Sequence, residues 1–407
     1  MKRFFLLVLS LLLISSNNAD ALTMKSTKSI VELVYLGNDQ ISEISFKSNN
    51  LLLVGTTESL TSNWLSGSLA GQSDGFIASY SKSGVVNWTL RLGNESNEIA
   101  TAHAIDQDGS IWVVGASNTP VVSTQMPNPP IIINPDNVPI NPPSTTYSPM
   151  NKIKVWQISS TGALLNNFEY LTPEVVIPNK IFLSNTNLII FGNIYGKAFT
   201  NGFYLSASKS GVFNNQIKIG VKATQFNSAI AQSDGSFAVV GSSSDLILKS
   251  KPIGKLDAIT LKISNTGIVQ LVARATLKST SRLWSSIDSG LLQGGRVNYS
   301  NKTEAAITKF SALNKPVWNV RYSGKSAALV ASGKNSWATF VSSGAIAGVV
   351  KWKPKVATSV LLEFGKKGEL INSYTLPAPA VAIDSDSEFG TFLVTDSGKS
   401  FGLVLIN

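Results

Sequence analysis

Short apolar runs separated by tight polar turns recur along the whole chain, and this pattern predicts β-strands rather than helices. The stretch 99–105 leads through Asp108-Gly109 into the apolar run 111–115, and 226–231 leads through Asp234-Gly235 into 237–241. Asp-Gly suits a two-stranded hairpin because glycine accepts a positive φ. Runs such as 51–54 are apolar at successive positions, which is typical of strands covered on both faces. The pattern therefore predicts antiparallel strands packed between neighbouring sheets.

A unit of four strands repeats seven times. In its second half, 74–80 turns at Ser83-Gly84 into 85–90, and 257–263 turns at Thr266-Gly267 into 268–271. The second strands end at Gly55, Gly115, Gly192, Gly241, Gly294, Val341 and Thr395. Four-stranded units of about this size are typical of propeller blades. The sequence therefore predicts an all-β fold, a single seven-bladed β-propeller domain over residues 22–407 with four antiparallel strands per blade.

The two ends of the chain predict how the ring closes. The last unit stops after the apolar run 401–406 and lacks a fourth strand, whereas 30–36 is an unassigned strand at the other end. An unpaired sheet edge invites aggregation, so closed folds remove it. We expect the N-terminal strand to complete the last blade.

One longer motif spans the first two units. It consists of Asp74-Gly75-Phe76, Ser83-Gly84, Trp88, Leu92-Gly93, Ala104-Ile105-Asp106, Asp108-Gly109-Ser110 and Val113-Val114-Gly115. This motif resembles the repeat of secreted bacterial seven-bladed β-propeller proteins, the SBBP-type repeat. The resemblance implies a propeller fold and export. It carries no catalytic motif, so it transfers no active-site residue.

The N-terminus predicts export. Lys2 and Arg3 precede the apolar run 4–14, and Ala19-Asp20-Ala21 follows it, which is the order of a secretory signal peptide cleaved before Leu22. An uncleaved anchor is the alternative, although the run is about half the ~20 residues that span a bilayer. We expect a signal peptide at 1–21, no transmembrane segment in the remainder, and a secreted, periplasmic or cell-surface protein.

Composition narrows the possible chemistry. Among 407 residues there is no cysteine and one histidine, which excludes disulfide scaffolds, cysteine nucleophiles and multi-histidine zinc sites. His103 lies in a predicted first strand and is interpreted as structural. Acidic residues of the first turns are interpreted as turn formers rather than calcium ligands; they are Asp106, Asp108, Asp234, Asp288, Asp384, Asp386 and Glu388. We expect no cofactor, no metal and no catalytic residue.

The net charge of +10 is concentrated in the loops that join second and third strands. These loops are predicted to be long, to share one face of the propeller, and to carry a balance of +6. The candidate ligand-binding residues are Lys351, Trp352, Lys353, Lys355, Arg296, Tyr299 and Trp64. The alternative is that 349–353 forms an extra edge strand whose lysines only guard against aggregation.

A proline-rich insertion at 119–149 interrupts the second unit, with an apolar Ile131-Ile132-Ile133 at its centre. Its prolines favour extended polyproline II conformation. We interpret it as a disordered loop insertion. The alternative is a loop that docks across the face of the propeller or recruits a partner through its isoleucines.

Three functions are compatible with this sequence. The first is an exported, non-catalytic binding or scaffold module whose basic loops hold an anionic cell-surface polymer or a glycan. The second is a platform for envelope proteins. The third is a sugar-active hydrolase or lyase, which would need carboxylates to converge among Asp39, Glu95, Glu98 and Glu174. We expect a monomer and no nucleic acid as the physiological partner.

Overall fold

The computed structural model describes residues 22–407 apart from 48, 119, 122–145 and 313. Seven sheets are arranged in a ring, and the innermost strands of neighbouring sheets contact one another all the way round. This arrangement confirms the predicted seven-bladed β-propeller. The predicted signal peptide 1–21 and most of the proline-rich insertion lie outside the described residues.

The N-terminal segment forms β1 (Lys25–Ser26) and β2 (Val31–Val34). The first blade contains β3 (Gln40–Lys47), β4 (Asn50–Thr57), β5 (Asp74–Ser81) and β6 (Val86–Leu92). The second contains β7 (Glu98–Ile105), β8 (Ile111–Ser117), β11 (Lys152–Ile158) and β12 (Leu164–Leu171), with β9 (Pro120–Val121) pairing β10 (Thr146–Tyr147) at the base of the insertion. The third contains β13 (Val175–Leu183), β14 (Asn187–Tyr195), β15 (Thr200–Ser208) and β16 (Ile217–Ile219).

The fourth blade contains β17 (Thr224–Ala231), β18 (Phe237–Ser243), β19 (Asp257–Ile263) and β20 (Val269–Ala275). The fifth contains β21 (Ser281–Asp288), a 3₁₀ turn at Ser289–Leu291, β22 (Leu292–Tyr299), β23 (Lys302–Phe310) and β24 (Pro316–Ser323). The sixth contains β25 (Leu329–Ser332), β26 (Ser336–Ser342), β27 (Thr358–Phe364) and β28 (Leu370–Thr375). The seventh contains β29 (Ala380–Asp386), β30 (Gly390–Asp396), β31 (Ser400–Ile406) and β2.

The N-terminal strand completes the seventh blade, as predicted. In the antiparallel pairing of β2 with β31, Val31 lies opposite Leu403 and Leu33 opposite Phe401. A second, unpredicted use of this segment is β1, which adds a short parallel fifth strand to β28 of the sixth blade. Residues 22–34 therefore tie the last two blades to the start of the chain.

In the first four blades the second strands continue two or three residues beyond the glycines that were predicted to end them, and these glycines share one structural role. In five blades the first strand carries a bulge opposite this glycine, and the carbonyl oxygen before the bulge presses on it. A Cβ on Gly115 would lie 1.8 Å from the Ile99 oxygen, and one on Gly241 would lie 1.8 Å from that of Gln225. Only glycine admits so close an approach. In the fifth blade the glycine in this position is Gly295, which faces the Leu283 oxygen, and not Gly294 as expected.

Tryptophans recur between blades. Trp112 lies in the apolar cluster between blades two and three, and Trp337 in the cluster between six and seven. Trp88 and Trp318 lie under the turn glycines of the following blades, where Gly162 and Gly368 have φ near +85°. These aromatics therefore hold neighbouring blades together.

The short turns between first and second and between third and fourth strands share one face of the ring, here called the turn face. The second-to-third connections and the crossovers share the other, here called the loop face. The expectation of seven long connections on the loop face is wrong for blades three, five and seven, where β14–β15, β22–β23 and β30–β31 are separated by four, two and three residues. In blade five, Ser300 and Asn301 both adopt positive φ and form a two-residue hairpin turn.

Candidate functional site

The connection between β26 and β27 of the sixth blade, residues 343–357, forms an anchored platform on the loop face. Ile346 and Val349 are buried in the cluster between blades five and six, and Trp352 packs against the same cluster. The backbone N–H of Val350 donates to the Leu22 oxygen, which braces the loop against the N-terminal segment. The platform is therefore held by apolar side chains from below.

Its three lysines point outward. Lys351, Lys353 and Lys355 are exposed, and in the part of the chain that the structure describes none of them forms an ion pair. Lys351 has φ +57° and lies in a turn. The alternative that 349–353 forms an extra edge strand is wrong, because only Val349 forms a bridge, with Leu22.

The other candidate ligand-binding residues, Arg296, Tyr299 and Trp64, do not form an exposed patch on a long loop as expected. Arg296 and Tyr299 lie within β22 rather than in a long loop; Arg296 is exposed, and the Tyr299 hydroxyl donates to Oε1 of Glu304 at 2.8 Å. Trp64 lies in the connection after β4, but its ring packs edge-on against Phe76 and Phe401. Trp64 and Trp352 therefore serve the core more than the surface.

A narrow polar cavity of about 200 Å³ lies on the axis of the ring and is lined by all seven first strands. The bulges bring their extra residues to its wall: Ser42, Thr101, Asn179, Asn227, Ser285 and Val381. A bulge re-aims a side chain that regular pairing would direct elsewhere. This explains why the axis is polar although the strands are mostly apolar.

Polar side chains on the first strands bind the backbone of the next blade. Carboxylate oxygens of Asp384 and Asp288 accept the backbone N–H groups of Phe46 and Ser332. The amide of Asn179 donates to the Phe226 oxygen at 2.5 Å, and that of Asn227 donates to Trp284 at 2.6 Å. The two aspartates and the two asparagines therefore link neighbouring blades, and this role is structural.

One group of side chains on the axis contains the only histidine. Nε2 of His103 lies 2.6 Å from Oγ of Ser45, and Nδ1 lies 3.1 Å from Oε2 of Glu43. Oε2 of Glu43 also accepts the backbone N–H of His103 at 2.7 Å, and Oε1 accepts a hydrogen bond from Nζ of Lys180. The Nδ1 contact is off the hydrogen-bond direction in this conformation. Sequence reasoning named His103 but missed Ser45, Glu43 and Lys180.

The pKa values of three acidic side chains on the axis are shifted by burial and by neighbouring charges. Burial acts to raise the pKa of Glu43, but Lys180 and His103 outweigh it and lower that pKa to about 2. Burial, supported by the charge of Asp384, raises the pKa of Asp288 to about 6. Burial also raises the pKa of Asp384. Glu43 is thus fixed as an anion beside His103.

The carboxylates of the loop face serve the fold. Asp39 accepts hydrogen bonds from Thr57 and Ser59, and Glu174 pairs with Lys218 at 3.0 Å. Glu98 is buried, and burial raises its pKa to about 7. No group of three metal-ligating side chains occurs among the residues that the structure describes. These contacts give no support to a sugar-cleaving carboxylate pair.

A wider cleft of about 630 Å³ opens on the turn face between blades one and two. Ser45 forms part of its wall, and the apolar side chains of Leu52, Trp88, Ile105 and Ile111 form much of the rest. Asn50, Asn87 and Lys47 add polar groups. The Ser45–His103 pair is therefore reached from this cleft.

Comparisons with known proteins assign the chain to no family. No family model matches the chain, and no curated protein matches it. Among solved structures, the Dos1 propeller is similar over 93% of this chain and 96% of its own, with 10% identity and a TM-score of 0.46. A protein of unknown function from Bacteroides caccae is similar over 83% and 82%, with 8% identity and a TM-score of 0.38. A Synechocystis apocarotenoid oxygenase variant is similar over 83% and 71%, with 10% identity and a TM-score of 0.44.

The structure contains no helix, among the residues it describes, that is long and apolar enough to cross a membrane.

Proposed function

We propose that the chain is an exported binding module whose loop face holds an anionic cell-surface polymer or a glycan, and that this face itself carries out no reaction. The observation that carries this proposal is the platform of the sixth blade. Three exposed lysines stand on a loop whose apolar residues are anchored in the core. Because the loop is ordered before the ligand arrives, little conformational freedom is lost on binding.

The contact is electrostatic in character. Trp64 and Trp352 face the core, so stacking on a sugar ring is a minor part of the proposal. The positive balance of the loop face would raise the rate of encounter with an anionic surface. Exposed Arg296 extends this charge toward the fifth blade.

The test is a glycan and polyanion array probed with residues 22–407, followed by titration of the best anionic ligand. Changing Lys351, Lys353 and Lys355 together to serine should weaken binding at least tenfold at low salt. Binding by the unchanged protein should fall steeply between low and physiological salt, because screening shortens the range of exposed charges.

A matched control separates a local site from a general charge effect. Lys249, Lys251 and Lys255 are exposed in the fourth-blade connection on the same face. Changing these three to serine removes the same charge and should leave binding within about twofold. Equal losses in both variants, or loss in neither, would contradict a site on the sixth-blade platform.

We also propose export through residues 1–21 and a monomeric state at the cell surface or in the periplasm. The repeat motif that begins at Asp74-Gly75-Phe76 supports assignment to the SBBP-type repeat. N-terminal sequencing of the protein recovered from the producing cells tests export; a first residue at Leu22 is expected, and retention of Met1 in the cytoplasm would contradict it.

A further inference from the structure

The group around His103 has an arrangement that a structural histidine does not require. A serine hydroxyl lies on one ring nitrogen and an ionised carboxylate lies by the other, at 2.6 Å and 3.1 Å. In this order a serine, a base and a carboxylate form the constellation of nucleophilic acyl transfer. From sequence alone His103 is interpreted as structural, because Ser45 and Glu43 lie about 60 residues away in the chain and only the fold brings them to it.

The strands hold the three groups in place. Glu43 and Ser45 are two residues apart on β3, so both side chains lie on the same side of the strand. His103 lies on β7 of the next blade, and its own backbone N–H is bound by Glu43. Lys180 from the third blade keeps Glu43 ionised and fixes its other oxygen. The imidazole side chain is only 2% exposed, so its orientation is set by packing.

Ser45 can be reached from the turn-face cleft. Ser45 is partly exposed and lines the turn-face cleft, whose walls are largely apolar. Ile105, which is 41% exposed, contributes an apolar side chain to the wall. A cleft of about 630 Å³ has the size of a small-molecule site. Hydrogen-bond donors on its wall include the side-chain amides of Asn50 and Asn87 and the ammonium of Lys47.

We infer that Ser45 is a nucleophile activated by His103 and that this cleft accepts a carboxylic ester with a small apolar acyl group. This activity would be separate from the binding surface on the loop face.

The reaction balances with water as the only co-reactant. Oγ of Ser45 bonds to the ester carbonyl carbon while its proton passes to Nε2 of His103. The carbon–oxygen bond to the alcohol then breaks, and the alcohol leaves with that proton. Water attacks the acyl-serine by the same route, releasing the carboxylic acid and restoring Ser45. Glu43 stabilises the imidazolium that forms in each half-reaction, because its Oε2 lies 3.1 Å from Nδ1.

The test is labelling of residues 22–407 with a fluorophosphonate probe, followed by mass-spectrometric mapping. One label on Ser45 is expected, together with hydrolysis of p-nitrophenyl butyrate. Ser45→Ala should abolish labelling and lower hydrolysis at least 100-fold with the melting temperature kept. Ser228→Ala is the matched control, because Ser228 also lies on a first strand near the axis, three blades away. This variant should be labelled and should hydrolyse the ester as the unchanged protein does.

Labelling of the unchanged protein tests whether Ser45 is a nucleophile, and this test does not depend on the folding of any variant. If the folded protein takes up no probe at Ser45 and hydrolyses the ester no faster than Ser45→Ala does, the hydroxyl is structural and the inference is overturned. Labelling spread over several serines would overturn it as well. Neither result bears on polymer binding by the loop face.

Discussion

At the scale of single residues, the pKa values of two glutamates in this ring are shifted in opposite directions. The pKa of Glu43 is lowered to about 2 because Lys180 and His103 outweigh the effect of burial, whereas that of Glu98 is raised to about 7. Glu98 is buried, its Oε1 has no hydrogen-bond partner, and Asp74 and Glu169 add negative charge nearby. The sequence placed Glu98 among the candidate carboxylates, but burial depends on the neighbouring strands and could not be predicted from it.

Glu98 should make the fold less stable as the pH rises. A raised pKa in the folded state means that the folded protein holds the proton more tightly, so the stabilisation is complete below the ordinary pKa near 4.5 and is lost as the pH rises through about 7. Glu98→Gln should therefore leave stability at pH 5 nearly unchanged and raise it at pH 8, by up to about 3 kcal/mol.

Denaturant unfolding at the two pH values measures this difference. Glu95→Gln is the control, because Glu95 lies three residues away and is exposed. A gain that is the same at pH 5 and pH 8, or a similar gain in the control, would contradict the assignment.

At the scale of strands and turns, the sequence predicted most of what repeats. The Asp-Gly turns and the seven-fold repeat of second strands are local signals, and the structure confirms them. The glycines predicted to end four of those strands lie two or three residues before the ends. The connection after β22 was not predicted correctly, because a run of polar residues from 298 to 302 looks like a loop whether or not it forms a tight hairpin. Arg296 and Tyr299 were misplaced for this reason.

An ion pair between the third and fourth strands also recurs from blade to blade, although its residue types change. An acid at the start of the third strand pairs with an arginine on the fourth strand in three blades: Asp74 with Arg91, Asp257 with Arg274 and Glu304 with Arg321. In the second blade the charges are exchanged, and Lys152 pairs with Glu169 at 3.2 Å. Such a pattern is visible only once the register of the strands is known.

The glycine opposite each bulge should be among the least replaceable residues. In Gly241→Ala the new Cβ would meet the Gln225 oxygen at 1.8 Å, so the bulge on β17 must shift. We expect a loss of at least about 2 kcal/mol in the free energy of unfolding. Gly235→Ala is the control; it has φ +79° but nothing within 4 Å, and should cost about 1 kcal/mol. Equal costs in denaturant unfolding would show that backbone conformation, and not the close approach, selects glycine at 241.

At the scale of the whole molecule, the ring depends on residues far apart in sequence. Residues 22–34 pair with both the sixth and the seventh blades, and the Leu22 oxygen braces the loop that carries the proposed binding lysines. Closure by β2 was predictable, because a stray strand and a missing one are both visible in the sequence. The brace at β1 was not, because a two-residue parallel strand has no pattern of its own.

Ring closure is the central claim, and thermal unfolding of three chains tests it directly. These are residues 22–407, residues 29–407, which keep β2 but lose β1, and residues 38–407, which lose both. We predict that 29–407 melts close to the full chain. We predict that 38–407 melts several degrees lower or aggregates, because the edge of β31 is exposed. A monomeric 38–407 that melts at the temperature of 22–407 would contradict the closed ring.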